Sequence, residues 1–120
     1  MDKIIFIQLN EINFEVVKKY IIKGYKLEYL NKILEQGIDT FENEAYENLE
    51  PWIQWVSIFK GQLYKKHKIF HLGDGLKSPG DNLFSDLRYS LNLSCGAVAP
   101  MNIPSEGIDF DFFLPDPWSN

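Results

Sequence analysis

The chain begins with a nearly continuous apolar run. Residues Lys3–Leu9 read KIIFIQL, and β-branched sequence without polar alternation is typical of a strand buried on both faces of a parallel sheet. A second run, Leu93–Ala99, reads LSCGAVA and stops at Pro100. A short strand candidate, Ile38–Phe41, lies between them. The pattern therefore predicts two buried strands and a short third strand between them.

Helical periodicity occupies the segments between these runs. Apolar side chains recur every three or four residues in Phe14–Lys23, Leu27–Gln36 and Asn82–Leu91, which is the spacing of one helix face. A fourth helix is predicted to begin at Pro51, because proline is tolerated at the first helical position. Gly61 is expected to end that helix.

The predicted order of elements is β-α-α-β-α-α-β. Apolar strands that alternate with amphipathic helices favour an α/β fold, layered as α/β/α around a mainly parallel sheet. With 120 residues the chain is one domain at most. From Met101 onward, prolines are expected to break regular structure, although this segment is rich in aromatic residues. Such an ending predicts either a single α/β domain or the N-terminal fragment of a larger one.

Composition narrows the classes of partner. The formal net charge of −5 argues against nonspecific binding to nucleic acid or anionic membranes, because both require a basic face. The single cysteine, Cys95, excludes an intramolecular disulfide framework and suits a reducing compartment. The run Lys3–Leu9 is too short to span a membrane. We therefore expect a cytoplasmic protein that binds neither nucleic acid nor membrane.

The fourth helix carries most of the candidate chemistry. Trp52 and Trp55 lie on one face at helical spacing, while Glu50, Gln54 and Ser57 form a polar stripe on another. Polar side chains on a buried helix must be hydrogen-bonded or face a cavity. The stripe predicts a helix that lines a pocket, with ordinary core packing as the alternative for the two tryptophans. Because 15% of the residues are aromatic, some rings are expected to line a cleft or an interface.

Further candidates follow the predicted strands. Ligands of parallel sheets gather at the carboxyl ends of strands, where Asn10 and Glu11 follow the first strand and Asn102 follows the last. Glu11 is a candidate ligand for a cation, and Asn10 could add a carbonyl oxygen. Alternatively, these two residues only make the turn before the helix. His71 and Asp74 have the spacing of half a metal site or are ordinary loop residues, and no pattern directs either histidine of the chain at a serine.

Taken together, these segments resemble the N-terminal part of the alkaline phosphatase superfamily, which contains sulfatases, phosphodiesterase/nucleotide pyrophosphatases and phosphoglycerol transferases. The resemblance rests on the strand Ile4–Leu9 with Asn10-Glu11 at its end and on the block Glu50–Ile69. Within that block, Lys60-Gly61 and His67-Lys68-Ile69 take the places of the family's Thr-Gly and His-Gly-Ile-like elements.

The resemblance implies an alkaline-phosphatase-like fold, of which this chain is the N-terminal part, acting on a phosphate or phosphodiester group in surface polysaccharide metabolism. It implies a divalent metal, Zn or Mn/Ca, held by Asn10 and Glu11. The family's nucleophile falls on Pro51 or on its neighbour Glu50. Glu50 and Ser57 are therefore the catalytic candidates.

The same resemblance assigns the substrate-binding positions to four side chains, namely Trp52, Gln54, Trp55 and Asn102. The implied partner is a small-molecule phosphate ester or a glycan. The family's remaining metal ligands would come from the missing C-terminal part of the same domain. The segments 97–102 and 113–118 look like an uncharacterised bacterial branch of the superfamily.

Two other hypotheses belong to different classes. Proline cannot act as a nucleophile, so Pro51 favours a catalytically inactive relative that binds a glycan or a protein partner through an aromatic cleft. The third hypothesis is a truncated, non-functional fragment, whose aromatic C-terminal segment predicts self-association.

Overall fold

The computed structural model of the chain describes residues 3–37, 45–78 and 80–118. The chain divides into two compact units, residues 1–43 and residues 44–120. The predicted strand Ile38–Phe41 lies outside the described residues. Among the residues that are described, no helix is long and apolar enough to cross a membrane.

The unit 1–43 contains two of the predicted helices, α1 (Phe14–Ile22) and α2 (Glu28–Gln36). The side-chain oxygen of Asn13 accepts hydrogen bonds from the backbone N–H groups of Glu15, at 3.0 Å, and of Val16, at 3.1 Å. These bonds satisfy donors that the first turn of a helix leaves without partners. Of the described residues in this unit, Val17 alone is buried.

The predicted first strand is not formed. Residues 3–9 are irregular, and Ile4 and Ile5 are 91% and 84% exposed. The apolar pattern of this run fits a strand, but a strand also requires a neighbour with which to exchange backbone hydrogen bonds. No described strand pairs with these residues, so the prediction of a buried strand here is wrong.

The unit 44–120 contains the other helices. Helix α3 spans Pro51–Lys60, the short helix α4 spans Tyr64–His67, and 3₁₀ turns lie at Tyr46–Asn48 and Asp74–Lys77. As predicted, proline occupies the first turn of α3, and Gly61 ends it with a left-handed φ of 58°.

The predicted helix Asn82–Leu91 is formed with an irregular geometry. Helix α5 spans only Leu83–Ser85, and the chain continues as a π-helical turn over Asp86–Ser90. Asn82 caps α5, because its side-chain oxygen accepts the N–H groups of Phe84 and Ser85. The wider turn is closed by a hydrogen bond of 3.1 Å from the Leu91 N–H to the Asp86 carbonyl.

A two-stranded parallel sheet completes this unit. Strand β1 (Gly96–Val98) pairs with β2 (Phe112–Leu114), and Ala97 lies opposite Phe113. Strand β1 falls inside the predicted strand Leu93–Ala99, whereas β2 lies in the segment that was expected to be irregular, so that expectation is wrong. Three residues between prolines carry too little periodicity to predict a strand. The described chain is therefore a mixed α/β structure.

The core of this unit forms around α3. Its buried apolar residues are Ile53, Val56, Phe59, Ile69, Ala97 and Ile103. Beside them, five aromatic rings follow one another with centroid separations of 6.0, 5.2, 5.3 and 4.9 Å, in the order Trp55, Phe59, Phe84, Phe110 and Phe113. These rings join α3 to α5 and to β2, so Phe110 and Phe113 of the C-terminal segment pack within their own unit, whereas Phe112 and Trp118 are exposed.

Candidate functional site

Asn102 organises the polar interior of the unit 44–120. Its side chain is 1% exposed, and its backbone has a left-handed φ of 61°. The amide oxygen accepts the N–H groups of Gly73, at 2.8 Å, and Gly75, at 3.1 Å. The amide nitrogen donates to the carbonyls of Trp52, at 3.2 Å, and His71, at 3.1 Å. The side chain therefore ties the start of α3 to the loop that follows α4.

Gly75 is required by this arrangement. A methyl group at Gly75 would overlap the backbone carbonyl of Asn102, so any larger residue would push the two segments apart. An asparagine amide has two donor and two acceptor positions. In Asn102, backbone groups of the protein occupy all four of them. The substrate-binding role predicted for Asn102 stays a prediction, and the observed contacts support a structural role.

The structure brings together a serine and a histidine that no sequence pattern connected. Ser57 Oγ on α3 lies 3.0 Å from His67 Nε2 at the end of α4. The Ser57 hydroxyl also donates to the Ile53 carbonyl, at 3.2 Å, one turn earlier in the same helix. A serine with a histidine at this distance is the starting arrangement of many nucleophilic sites.

The second ring nitrogen of His67 decides the direction of this hydrogen bond. His67 Nδ1 accepts the backbone N–H of Ile69 at 3.0 Å, so the proton of the neutral ring lies on Nε2. Nε2 therefore donates to Ser57, whereas a general base would have to accept the hydroxyl proton at that nitrogen. Burial, followed by the nearby Lys60 ammonium, lowers the pKa of His67 and favours the neutral ring. In this arrangement the pair joins α3 to α4 without activating the hydroxyl.

The predicted pocket-lining side chains of α3 are engaged by their own unit. Trp52 Nε1 donates to the Phe70 carbonyl at 2.9 Å, and Gln54 Nε2 donates to the Asn48 carbonyl at 3.2 Å. The Trp55 ring contacts that of Phe59. The three side chains are half-buried, and the contacts fix their positions on one side of α3. Their substrate-binding roles remain predictions.

The remaining candidates are separated between the two units. Asn10 and Glu11 lie in the unit 1–43, where Glu11 has a left-handed φ of 58° and both residues are exposed. Glu50, in the other unit, is exposed at the N-terminal boundary of α3. Among the described residues, no group of three or more His, Cys, Asp and Glu side chains comes together as a metal-binding set. The metal and catalytic roles of these residues stay predictions.

The second histidine lies in a hydrogen-bonded turn. The backbone N–H of His71 donates to the Asp74 carboxylate at 3.3 Å, and the His71 ring meets the Phe70 ring edge to face. The sequence left open whether His71 and Asp74 form half of a metal site or are ordinary loop residues. Their contacts are those of a turn in which an aspartate side chain caps the backbone.

A cleft of about 540 Å³ lies in the unit 44–120. Its walls are mostly apolar and are formed by Leu76, Pro100, Ile103, Pro104, Phe113 and Pro115. Its polar lining is formed by Ser105, Glu106 and Asp116. Asp116 is 5% exposed, and one of its oxygens accepts the Trp118 N–H at 3.2 Å, whereas Glu106 and Ser105 are exposed. The cleft is therefore an open one, with apolar walls and a few polar groups at its surface.

The segments that line the cleft are tied to one another. The Asn102 side chain accepts the N–H of Gly75, which precedes the lining residue Leu76. Ile103, which follows Asn102 in the chain, lines another wall of the cleft. The Ala99 N–H donates to the Leu114 carbonyl at 2.7 Å. This bond joins the residue that directly precedes the lining segment 100–106 to a residue within the lining segment 113–116. Ala99 also has a left-handed φ of 50° directly before a proline, a conformation that is strained for alanine.

Sequence reasoning placed most of the substrate site on α3 and added Asn102 after the last predicted strand, while the cleft is lined by Leu76 and by residues within 100–106 and 113–116. The sequence signal for this region is the cluster of prolines and aromatic residues after Met101. Comparison of the sequence with protein-family models and with characterised proteins, and of the fold with solved structures, found no match.

Proposed function

We propose that the unit 44–120 is a ligand-binding module and that its site is the cleft between the walls at Leu76, at 100–106 and at 113–116. This proposal takes up the hypothesis of a catalytically inactive relative of the alkaline phosphatase superfamily and moves its site away from the tryptophans of α3. The observation that carries it is the cleft itself. Its volume of about 540 Å³ lies within the range of roughly 300–1,000 Å³ that holds drug-sized ligands.

The rigidity of the walls supports the proposal. Binding costs less free energy when the site is already ordered, because fewer side chains and loops lose freedom. The lining segments are held in place by two independent sets of hydrogen bonds. One set is made by the Asn102 side chain and the other by the pairing of β1 with β2. The strained backbone at Ala99 also fits this interpretation, since surrounding structure retains strain of this kind chiefly at functional positions.

The observed contacts of α3 support binding rather than catalysis. The resemblance assigns the nucleophile to Pro51, which has no nucleophilic group, or to its neighbour Glu50, which is exposed at the boundary of α3. The Ser57 hydroxyl, the other catalytic candidate, receives a hydrogen bond from His67 and donates its own proton to the Ile53 carbonyl. A catalytic serine requires the opposite arrangement.

A phosphoester-directed activity, as implied by the resemblance, is the second candidate. The specific observation that favours it is the 3.0 Å distance between Ser57 Oγ and His67 Nε2. For this activity His67 would have to release the Ile69 N–H so that Nε2 could accept the hydroxyl proton.

The decisive experiment is a titration of the isotope-labelled full chain with a panel of small aromatic and aliphatic compounds, followed by backbone amide chemical shifts. We expect the shifts to change at Leu76, at 100–106 and at 113–116. Ser105→Trp should abolish them by filling the cleft, whereas Ser90→Trp, which is also at an exposed serine, should not. Changes confined to Trp52 and Trp55, or no changes, would overturn the assignment of the site.

A parallel assay separates the two candidates. The full chain is incubated with p-nitrophenyl phosphate and bis-p-nitrophenyl phosphate in the presence of Zn²⁺, Mn²⁺ or Ca²⁺. We expect no metal-dependent release of p-nitrophenol. Release that disappears in Ser57→Ala and in Glu11→Gln would establish the phosphoester activity and overturn the proposal of a non-catalytic module.

A further inference from the structure

The ionisable side chains that line the cleft are all acidic. The two ionisable side chains that line it, Glu106 and Asp116, are both carboxylates, and none of its described lining residues is basic. They differ in position, since Asp116 is 5% exposed while Glu106 is exposed. The cleft therefore has one carboxylate within the packed structure and another at an exposed position.

We infer that the cleft binds a small organic cation, in which an ammonium or guanidinium group is carried on an apolar body. This inference rests on the proposed function, because it specifies the ligand class of the same cleft. The cationic group would be attracted to Asp116 and Glu106, while the apolar body would contact the walls at Ile103, Phe113 and the prolines.

Apolar walls strengthen this preference for a cation. The attraction between a carboxylate and a cation is larger beside low-dielectric protein than in bulk water. The apolar body would gain roughly 25 cal/mol for each Å² of surface that it removes from water. Phe113 adds an aromatic ring to the lining, and cations are attracted to the faces of such rings.

The charge of the surrounding unit acts in the same direction. Residues 44–120 contain ten acidic and six basic side chains, and an excess of one sign raises the local concentration of the opposite ion. An anionic ligand would meet two carboxylates in the cleft and would be repelled. The same reasoning predicts that phosphate esters are excluded from this cleft, even though the resemblance of the chain suggests a phosphate-directed protein.

The test compares three compounds that share a phenyl group and differ in charge: 2-phenylethylammonium, 2-phenylethanol and phenyl phosphate. Each is titrated into the labelled full chain, and affinity is measured from the amide shifts at 100–106 and 113–116. We expect the ammonium compound to bind about tenfold more tightly than the alcohol, which is the effect of roughly 1.4 kcal/mol of charge interaction. Phenyl phosphate should not bind, and added salt should weaken the binding of the ammonium compound.

Two variants locate the interaction. Glu106→Gln and Asp116→Asn should each reduce the preference for ammonium over alcohol, while the matched control Glu47→Gln, at an exposed position outside the cleft, should leave it unchanged. Asp116→Asn keeps an oxygen for the Trp118 N–H. If that variant is unfolded, Glu106→Gln and the salt dependence still test the inference.

The outcomes distinguish the inference from the proposed function. Equal affinity for the ammonium compound and the alcohol would overturn the cation preference and leave the cleft as a binding site. Tighter binding of phenyl phosphate would overturn the cation preference and favour a phosphate ligand. If none of the compounds changes the shifts of the cleft and the panel screen also fails, the proposed function is overturned together with the inference.

Discussion

The two compact units of this chain are similarly rich in apolar residues but bury them to different extents. In the unit 1–43, Val17 is the one buried residue among those described, and Ile4 and Ile5 are almost fully exposed. In the unit 44–120, α3 alone contributes three buried apolar side chains. Both units have amphipathic helices at the predicted positions, so helix formation does not account for the difference.

The difference lies in long-range contacts. In the unit 44–120, Asn102 joins the start of α3 to the 71–75 loop, and the aromatic rings from Trp55 to Phe113 connect α3, α5 and β2. The side-chain pairs described within α1 and α2 are local, such as Lys18 with Glu15 at 2.6 Å, and surface pairs of this kind contribute little to stability. The comparison teaches that periodicity specifies helices, while a core requires connections between distant segments.

The largest expected effect is at Asn102. Asn102→Ala leaves the buried N–H groups of Gly73 and Gly75 and the carbonyls of Trp52 and His71 without their partner. At about 1 kcal/mol for each group, the free energy of unfolding should fall by about 4 kcal/mol. The measurement is urea unfolding followed by tryptophan fluorescence, since all the tryptophans, at 52, 55 and 118, lie in this unit.

The matched control for this substitution is in the other unit. The Asn31 amide donates to the exposed Glu35 carboxylate at 2.7 Å, so Asn31→Ala should change stability by less than about 0.5 kcal/mol. Because alanine is also strained at the left-handed φ of Asn102, Asn102→Gly is included to remove the side chain without that strain. Equal effects of Asn102→Gly and Asn31→Ala would contradict the role assigned to Asn102.

The next largest difference in stability between the units is expected for alanine substitutions of two isoleucines. Ile53 on α3 is 1% exposed and Ile22 at the end of α1 is 84% exposed. Ile53→Ala creates a cavity and should cost about 3 kcal/mol, whereas Ile22→Ala should stay within about 0.5 kcal/mol. Thermal unfolding monitored by circular dichroism would measure both. Similar losses for the two variants would show that α1 buries its apolar face in solution and would break the comparison between the units.

The smallest expected effect is the pH dependence that comes from His67. Burial, and then Lys60, lower the pKa of His67, so the unfolded chain binds a proton more readily than the folded protein. The contribution of His67 to the free energy of unfolding is therefore complete when the pH is above 6.5, the ordinary pKa of histidine. This contribution decreases as the pH falls from there toward the lowered pKa of the folded protein. Stability is expected to decline on acidification through this range.

This pH dependence is tested by measuring the midpoint of urea unfolding from about pH 8 to about pH 5. The proteins compared are the unsubstituted chain, His67→Gln and His71→Gln. The first variant should flatten the part of the profile near neutral pH, while the second should retain it. Identical profiles for His67→Gln and the unsubstituted chain would show that the Ser57–His67 contact does not couple protonation to folding.

Local pattern was sufficient where an element depends on its own residues. The positions of α1 and α2, the proline that begins α3 and the Gly61 that ends it follow from periodicity and from the backbone preferences of proline and glycine. The segment Lys3–Leu9 shows the limit of this reasoning, because its apolar pattern is that of a buried strand but no described strand pairs with it.

The candidate site shows the same limit more clearly. Its prediction concentrated on α3, where tryptophans and polar residues have helical spacing, yet the structure uses the polar atoms of Trp52, Gln54 and Ser57 for contacts inside the unit. The cleft instead combines Leu76 with two later segments. No local pattern records which distant segments will share a wall.

The sequence by itself determined α1, α2 and α3, the net negative charge and the left-handed position of Gly61, because these depend on side-chain chemistry and on neighbours within a turn of the chain. Only the tertiary structure decided that β2 would pair with β1, that His67 would donate to Ser57, and that Asp116 would be buried beside a cleft. The physical reason is that pairing, proton direction and burial are set by groups far apart in the chain, which meet only when the core has formed.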